Sequence, residues 1–442
     1  MNNPLVSIVI PVYNGGNYLR EAIDSALAQT YENCEVLVIN DGSNDNGLTE
    51  KIALSYGEKI RYLKKQNGGV ATAVNLGIEN MKGEYFAWLS HDDMYYPEKI
   101  EKQIQALREN GDMTAIVHSN YDVLDVESQK LTPVNWLNQY TLKQLTNSNF
   151  APVFLCIHGC SILIHKSHFQ RVGLYDESLI ATQDSVFLFH LMRDQKSVFV
   201  EEELFITRLH KDQGSRTMAC HEPEYNKMFK NFCDMLTEDE MCLMCGSVYN
   251  FYNRLLCLLR PIPKGKVTCK FILEKLHELP IPKDYFSKQY ELFSFLQNIS
   301  KGKTDKLCIF GAGRFGKRLL RDLRGRCITV DCFADNDPQK KGTFIENIPC
   351  ISFDELKKQK EHILVIISML ASDEVFKQLN ENGFKYFITK QSIDRFLFSI
   401  PPIIQLEELY TNPKINYESE DCRYLIKSFN KTLMEMIKNS NS

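Results

Sequence analysis

The first hundred residues alternate between β-branched apolar runs and amphipathic stretches, and that alternation constrains the fold more than any other feature. Val6–Ile10 reads as a strand ended by Pro11, and Glu35–Ile39 as a second, ending in Asn40-Asp41-Gly42-Ser43. A short third strand, Ile60–Leu63, and a fourth, Tyr85–Leu89, follow. Between them, Leu19, Ile23, Ala26 and Leu27 recur at helical spacing, the stretch Ala71–Met81 reads as a helix, and Pro97 opens another carrying Ile100, Ile104 and Leu107 on one face. Strands alternating with helices in this way predict a parallel, doubly wound sheet. Ligands of such sheets sit beyond the carboxyl ends of the strands. Tyr13, Asp41 and the pair Asp92/Asp93 all fall just past such ends, so three polar clusters converge on one edge.

The acid pair follows the fourth strand as Ser90-His91-Asp92-Asp93. Adjacent carboxylates repel, and burial increases the cost unless a positive charge sits between them. Hard oxygen donors suit magnesium or manganese. The plain alternative is a solvated acidic turn.

Bulk properties set limits. A chain of 442 residues is expected to hold two or three domains. A net charge of −4 excludes a broad nucleic-acid footprint. No apolar run reaches the length of a membrane span, and Met1-Asn2-Asn3-Pro4 lacks the positive start of a secretory signal, so a cytoplasmic protein is expected. The fourteen cysteines fit a reducing compartment: Cys34, Cys308, Cys327 and Cys332 lie in or beside apolar runs and read as small buried hydrophobes. Cys242 and Cys245 have metal-like spacing but lack a second pair.

Further along, Ala115–His118 and Cys160–His165 read as strands, and a helix follows Asp184. The expected organisation is a catalytic α/β domain over 1–218, a helical connector over 219–302, a smaller Rossmann-like α/β domain over 303–400 and a partly helical tail over 401–442. In the third segment Leu307–Phe310 precedes Gly311-Ala-Gly313-Arg-Phe-Gly316 and a helix, and a strand over Ile328–Ala334 ends at Asp335. That is the dinucleotide fingerprint: the glycines admit phosphate, the helix start attracts it and the acid takes a ribose hydroxyl. NAD(P) or another nucleotide is the ligand it points to, with a purely architectural domain as the alternative.

The ordered blocks Val6–Asn14, Asn40–Ser43, Asn67-Gly68-Gly69 and His91-Asp92-Asp93 resemble the family 2 glycosyltransferases over roughly residues 4–218. The resemblance implies a GT-A fold and transfer of a sugar from a nucleotide donor, usually with inversion. It places Pro11, Tyr13, Asp41, Asn67 and Asp92 at the donor nucleotide, and Asp93 at a Mn2+ or Mg2+ ion that bridges the diphosphate. Asp184 in Gln183-Asp184 matches the general base, with a helix cap as its plain alternative. His158, Gly159, Cys160 and Gln183 would shape the acceptor and sugar pocket. Arg208-x-His210-x-x-x-x-Ser215 would add His210 as a metal ligand, with Arg208 or Lys211 facing the diphosphate. Gln183, Asn40 and Val74 depart from the family's usual Glu, acid and Arg. The resemblance further implies a UDP-sugar donor, a glycan or lipid-linked acceptor, bacterial surface polysaccharide as the product and a peripheral station at the inner membrane face. The alternatives are a sugar nucleotidyltransferase, against which the lack of a cationic glycine-rich loop after the first strand argues, and a non-catalytic nucleotide-sensing scaffold. The sequence leaves the oligomeric state open.

Overall fold

The computed structural model describes residues 3–211, 213, 218–259, 262–279, 292, 294–299, 301–324, 326, 328–368 and 372–399. Ser215, Cys327 and the expected tail over 401–442 lie outside them. The chain divides into two units. The first holds the described residues of Met1–Val248 and Leu258–Glu274; the second holds Tyr249–Cys257 and those from Lys275 onward. The helices of the expected connector divide between the two units.

In the first unit β1 (Val6–Val12), β2 (Cys34–Asn40), β3 (Arg61–Lys64) and β4 (Tyr85–Trp88) pair in parallel, and β8 (Ile164–His165) adds an antiparallel edge in the order β3-β2-β1-β4-β8. Helices α1 (Leu19–Leu27), α2 (Leu48–Leu54) and α3 (Val70–Asn80) connect the parallel strands, and α4 (Lys99–Asn110) follows β5 (Met94–Tyr95). Every residue of β1 is buried, as expected of a central strand covered on both faces. Val12 pairs with Asn40 and Asn40 with Lys64, so the strands end level and release their following residues at one edge.

A second sheet has the order β5-β9-β6-β7, from β6 (Ile116–Asp125), β7 (Lys130–Val134) and β9 (Ser197–Leu209). β9 runs parallel to β6, with register shifts near Ser119–Asp122, and its far end pairs with β5 immediately after the acid pair. The strand expected over Cys160–His165 shrinks to Ile164–His165. Its first residues turn instead, because the Cys160 N–H goes to His158 Nδ1 at 3.1 Å and the Ser161 N–H to the His158 carbonyl at 2.8 Å.

The second unit carries a sheet ordered β12-β13-β11-β10-β14-β15. Its strands are β10 (Lys306–Phe310), β11 (Cys332–Ala334), β12 (Phe344–Ile345), β13 (Ile348–Ile351), β14 (Ile363–Ile367) and β15 (Phe387–Thr389), parallel except for the β12–β13 pair. β11 is shorter than the expected Ile328–Ala334, because the Ile328 N–H bonds back to the Leu323 carbonyl at the end of the preceding helix. Of the cysteines read as buried hydrophobes, Cys308 and Cys332 are buried and Cys34 is half-buried. Cys242 is exposed.

Candidate active site

At the end of β1 Pro11 is buried, and Tyr13 stands 42% exposed, so its ring is surface that a planar base can cover rather than core. At the end of β2 Asp41 is buried and fully engaged. Its Oδ1 accepts from Lys65 Nζ at 2.7 Å and from the Gly68 N–H at 3.0 Å, and its Oδ2 accepts from the Gly69 N–H at 2.8 Å. Asp41 therefore holds the Asn67-Gly68-Gly69 loop in place, and Asn67 itself is exposed at its tip. Strand-end logic would also have found Lys65, which follows β3 at the same edge. Asn40, where the family often has an acid, accepts the Ser43 N–H and steadies the turn.

The acid pair lies past β4, where two layers meet. Asp93 is 2% exposed. Its Oδ1 accepts the Arg208 N–H at 3.0 Å, and Oδ2 meets the Cys160 thiol at 3.3 Å. Burial and the neighbouring Asp92 push the Asp93 carboxyl up to about 7. Burial also pushes Asp92 up, but His91 and His210 outweigh it and hold Asp92 below the usual range. His210 Nε2 lies 3.0 Å from Asp92 Oδ2, which brings the expected metal-binding histidine beside the acid pair. Arg208 is one of the two cations, with Lys211, expected to face the diphosphate. Arg208 is 3% exposed, bonds the Asp92 carbonyl at 2.7 Å, pairs with Glu21 and lies over the Tyr18 ring. Its charge steadies the backbone that carries both acids.

Asp93, His158 and Cys160 each offer a donor atom within 4.8 Å of the others. Burial drives His158 down to about 4, so its imidazole is neutral, and drives the Cys160 thiol well up, so its sulfur keeps its proton and is a poor ligand. Paired carboxylates, one holding a proton it would lose to a cation, with neutral imidazole beside them, fit a hard divalent ion.

Gln183 and Asp184 open the helix Gln183–Met192. Asp184 sits inside the first turn, and its Oδ1 accepts the Ser185 N–H at 2.7 Å. Burial raises the Asp184 carboxyl above the ordinary aspartate range. The Tyr175 ring links this helix to the acid pair's surroundings: it stacks on Phe187 at 3.9 Å, meets Trp88 edge-on at 5.5 Å and feels the charge of Asp184. Asn75 fixes the Tyr175 backbone through bonds in both directions. Gly159 lies against the Trp88 ring. Among the described residues the Trp88 Nε1, Tyr175 hydroxyl and Gln183 Oε1 are buried without protein partners, which suits a pocket that receives hydroxyl groups.

The glycine loop of the second unit lies between β10 and the helix Arg314–Arg324. Gly311 has φ +103°, and a Cβ at Gly316 would meet the Gly311 carbonyl at 1.9 Å. Asp335, the residue expected to take a ribose hydroxyl, is engaged within its own loop. Its Oδ2 accepts from the Ala312 N–H at 2.7 Å and from Lys340 Nζ at 2.9 Å, and its Oδ1 accepts the Asp337 N–H at 3.0 Å, so the carboxylate closes its own loop. Gly313 faces open space.

A parallel sheet whose carboxyl edge gathers an exposed aromatic and a paired acid, with a half-buried aspartate on a neighbouring helix, is the GT-A glycosyltransferase arrangement. The model described as glycosyl transferase family 2 matches residues 7–173, and one described as C2185-like, N-terminal, matches residues 303–387. An uncharacterized glycosyltransferase of Rickettsia prowazekii, RP339, is 47% identical over 258 residues, covering 58% of this chain and 80% of that protein. The chain belongs to the family 2 glycosyltransferases. The chondroitin synthase of Pasteurella multocida is 36% identical over 153 residues, or 34% of this chain and 16% of that protein. Among solved structures, S. aureus TarS 1-349 in complex with UDP-GlcNAc is similar at 14% identity and TM-score 0.45, covering 66% of this chain and 81% of that one. The chain spans 44%, 38% and 44% of the length of three other rickettsial glycosyltransferases that it matches. Among the described residues no helix is long and apolar enough to cross a membrane.

Proposed function

We propose that the first unit transfers a sugar from a nucleotide donor, a UDP-sugar, to a hydroxyl of a glycan or lipid-linked acceptor, with inversion. The observation that carries this reading is the gathering of Tyr13, the Asp41-held loop and Asp92/Asp93 at one sheet edge. Tyr13 covers the base, and the edges of Pro11 and Asn67 frame it. Asp92, Asp93 and His210 would hold Mn2+ or Mg2+, with Asp92 and His210 as the more accessible donors. A divalent cation bound there offsets the negative charge that grows on the departing diphosphate.

Asp184 takes the proton of the acceptor hydroxyl. The oxygen forms its bond to the anomeric carbon as the bond from that carbon to the phosphate oxygen breaks, and single displacement inverts the centre. A carboxylate whose pKa is raised by burial is a better base than an exposed one. His158, Gly159, Cys160 and Gln183, with Trp88 and Tyr175, line the sugar pocket. The likeness to chondroitin synthase supports a glycan acceptor and a role in surface polysaccharide.

The test is a panel of UDP-, GDP- and dTDP-sugars with Mn2+, read as released nucleoside diphosphate. UDP release from one donor is expected. Silence across the panel, or pyrophosphate formed from a nucleoside triphosphate and a sugar phosphate, would overturn the reading.

A further inference from the structure

The helix that carries Asp184 begins without a cap of its own. Thr182 precedes it and makes no side-chain capping bond to it. A helix start leaves backbone N–H groups without intrahelical partners, and an uncapped start frays. Here the amides just ahead of the helix are met from a distant element. Glu224, on the helix His221–Met235, accepts from the Ala181 N–H at 2.9 Å, the Thr182 N–H at 3.2 Å and the Ile180 N–H at 3.1 Å. The Thr182 hydroxyl donates to the same carboxylate at 3.3 Å. A carboxylate receiving consecutive backbone donors makes charge-assisted bonds, stronger than neutral ones.

That helix is itself tied down. Asn226 donates to the Lys264 carbonyl at 2.7 Å and accepts the Thr268 N–H at 2.9 Å. One turn before Glu224, His221 lies in the field of Asp184, with its Nδ1 buried and unpaired among the described residues. The helix therefore meets the Asp184 loop along its first turn and holds it against a braced support.

We propose that Glu224 is a positioning residue for Asp184. By cradling the amides of 180–182 it sets where the helix starts, and so where the Asp184 carboxylate points. The proposal rests on Asp184 as the base. A base misplaced by about 1 Å loses rate while the donor site, on strand ends elsewhere, keeps its affinity.

The test uses the full chain, Mn2+ and the donor found in the panel, reading UDP release and, separately, UDP binding. Glu224→Gln keeps the side-chain shape but loses the charge; its kcat should fall about 10- to 100-fold with donor KM and UDP Kd within about twofold. Glu224→Asp keeps the charge with a shorter reach and should fall in between. Glu224→Gln in an Asp184→Asn background should cost nothing more, because a residue that acts through the base has nothing left to position. If Asp184→Asn turns over at the parental rate, the base reading fails. If Asp184→Asn is slow while Glu224→Gln matches the parent, raises KM rather than lowering kcat, or multiplies with Asp184→Asn, the positioning proposal fails alone. Loss of fold in both Glu224 variants would make the residue structural and also overturn it.

Discussion

The proton held by Asp93 predicts how cation affinity depends on pH. Burial and Asp92 push the Asp93 carboxyl up to about 7, and burial keeps His158 neutral down to about 4. The sign follows from linkage. A carboxyl whose folded pKa lies above its unfolded value is a liability that grows as pH rises through that window, so the metal-free protein loses stability toward pH 7. A cation at the pair must displace that proton at low pH and finds the site ready at high pH. With a pKa of about 7, Asp93 is about one-tenth ionised at pH 6 and about nine-tenths at pH 8, so apparent Mn2+ affinity should rise about tenfold between them. Calorimetric titration of Mn2+ at the two pH values measures this directly, and the cation's effect on Tm should grow in parallel. Asp93→Asn removes the titrating group and should flatten the dependence. Equal affinities at pH 6 and pH 8, or a slope that survives in Asp93→Asn, would refute the reasoning.

Asp184→Asn should lower kcat for UDP release by about 10²–10⁴-fold with UDP binding intact, as separate turnover and binding assays would show. Because burial raises Asp184, the acid limb of kcat should lie above the ordinary aspartate range, and a pH–rate profile locates it. Chelation with EDTA should abolish UDP release, and added Mn2+ should restore it. Asp41→Ala strips the Gly68 and Gly69 amides and Lys65 of their acceptor; donor KM should rise and stability fall by about 1–3 kcal/mol in urea unfolding. Gly316→Ala drives a methyl into the Gly311 carbonyl and should destabilise the second unit, seen as an earlier calorimetric transition.

The sequence by itself determined the first sheet and its working edge, because those signals are local. A β-branched run and the polar residue after it lie within a few positions of each other, and the crossover rule then sends every such residue to one side. Tyr13, Asp41, Asp92 and Asp93 were legible for that reason, as were Gly311, Gly313 and Gly316 ahead of their helix. Only the tertiary structure decided who meets whom. The choice of Asp92 over Asp93 by His210 depends on where β9 ends beside β5, a pairing 118 residues apart in the chain. Glu224 carries no motif, and its worth comes from packing against amides 42 to 44 residues earlier. Asp335 follows its strand as the sequence pattern places it, and its half-buried carboxylate takes the nearest donors, the Ala312 N–H and Lys340. Strand placement follows from neighbours in sequence; the charge and hydrogen-bond state of each acid follows from neighbours in space.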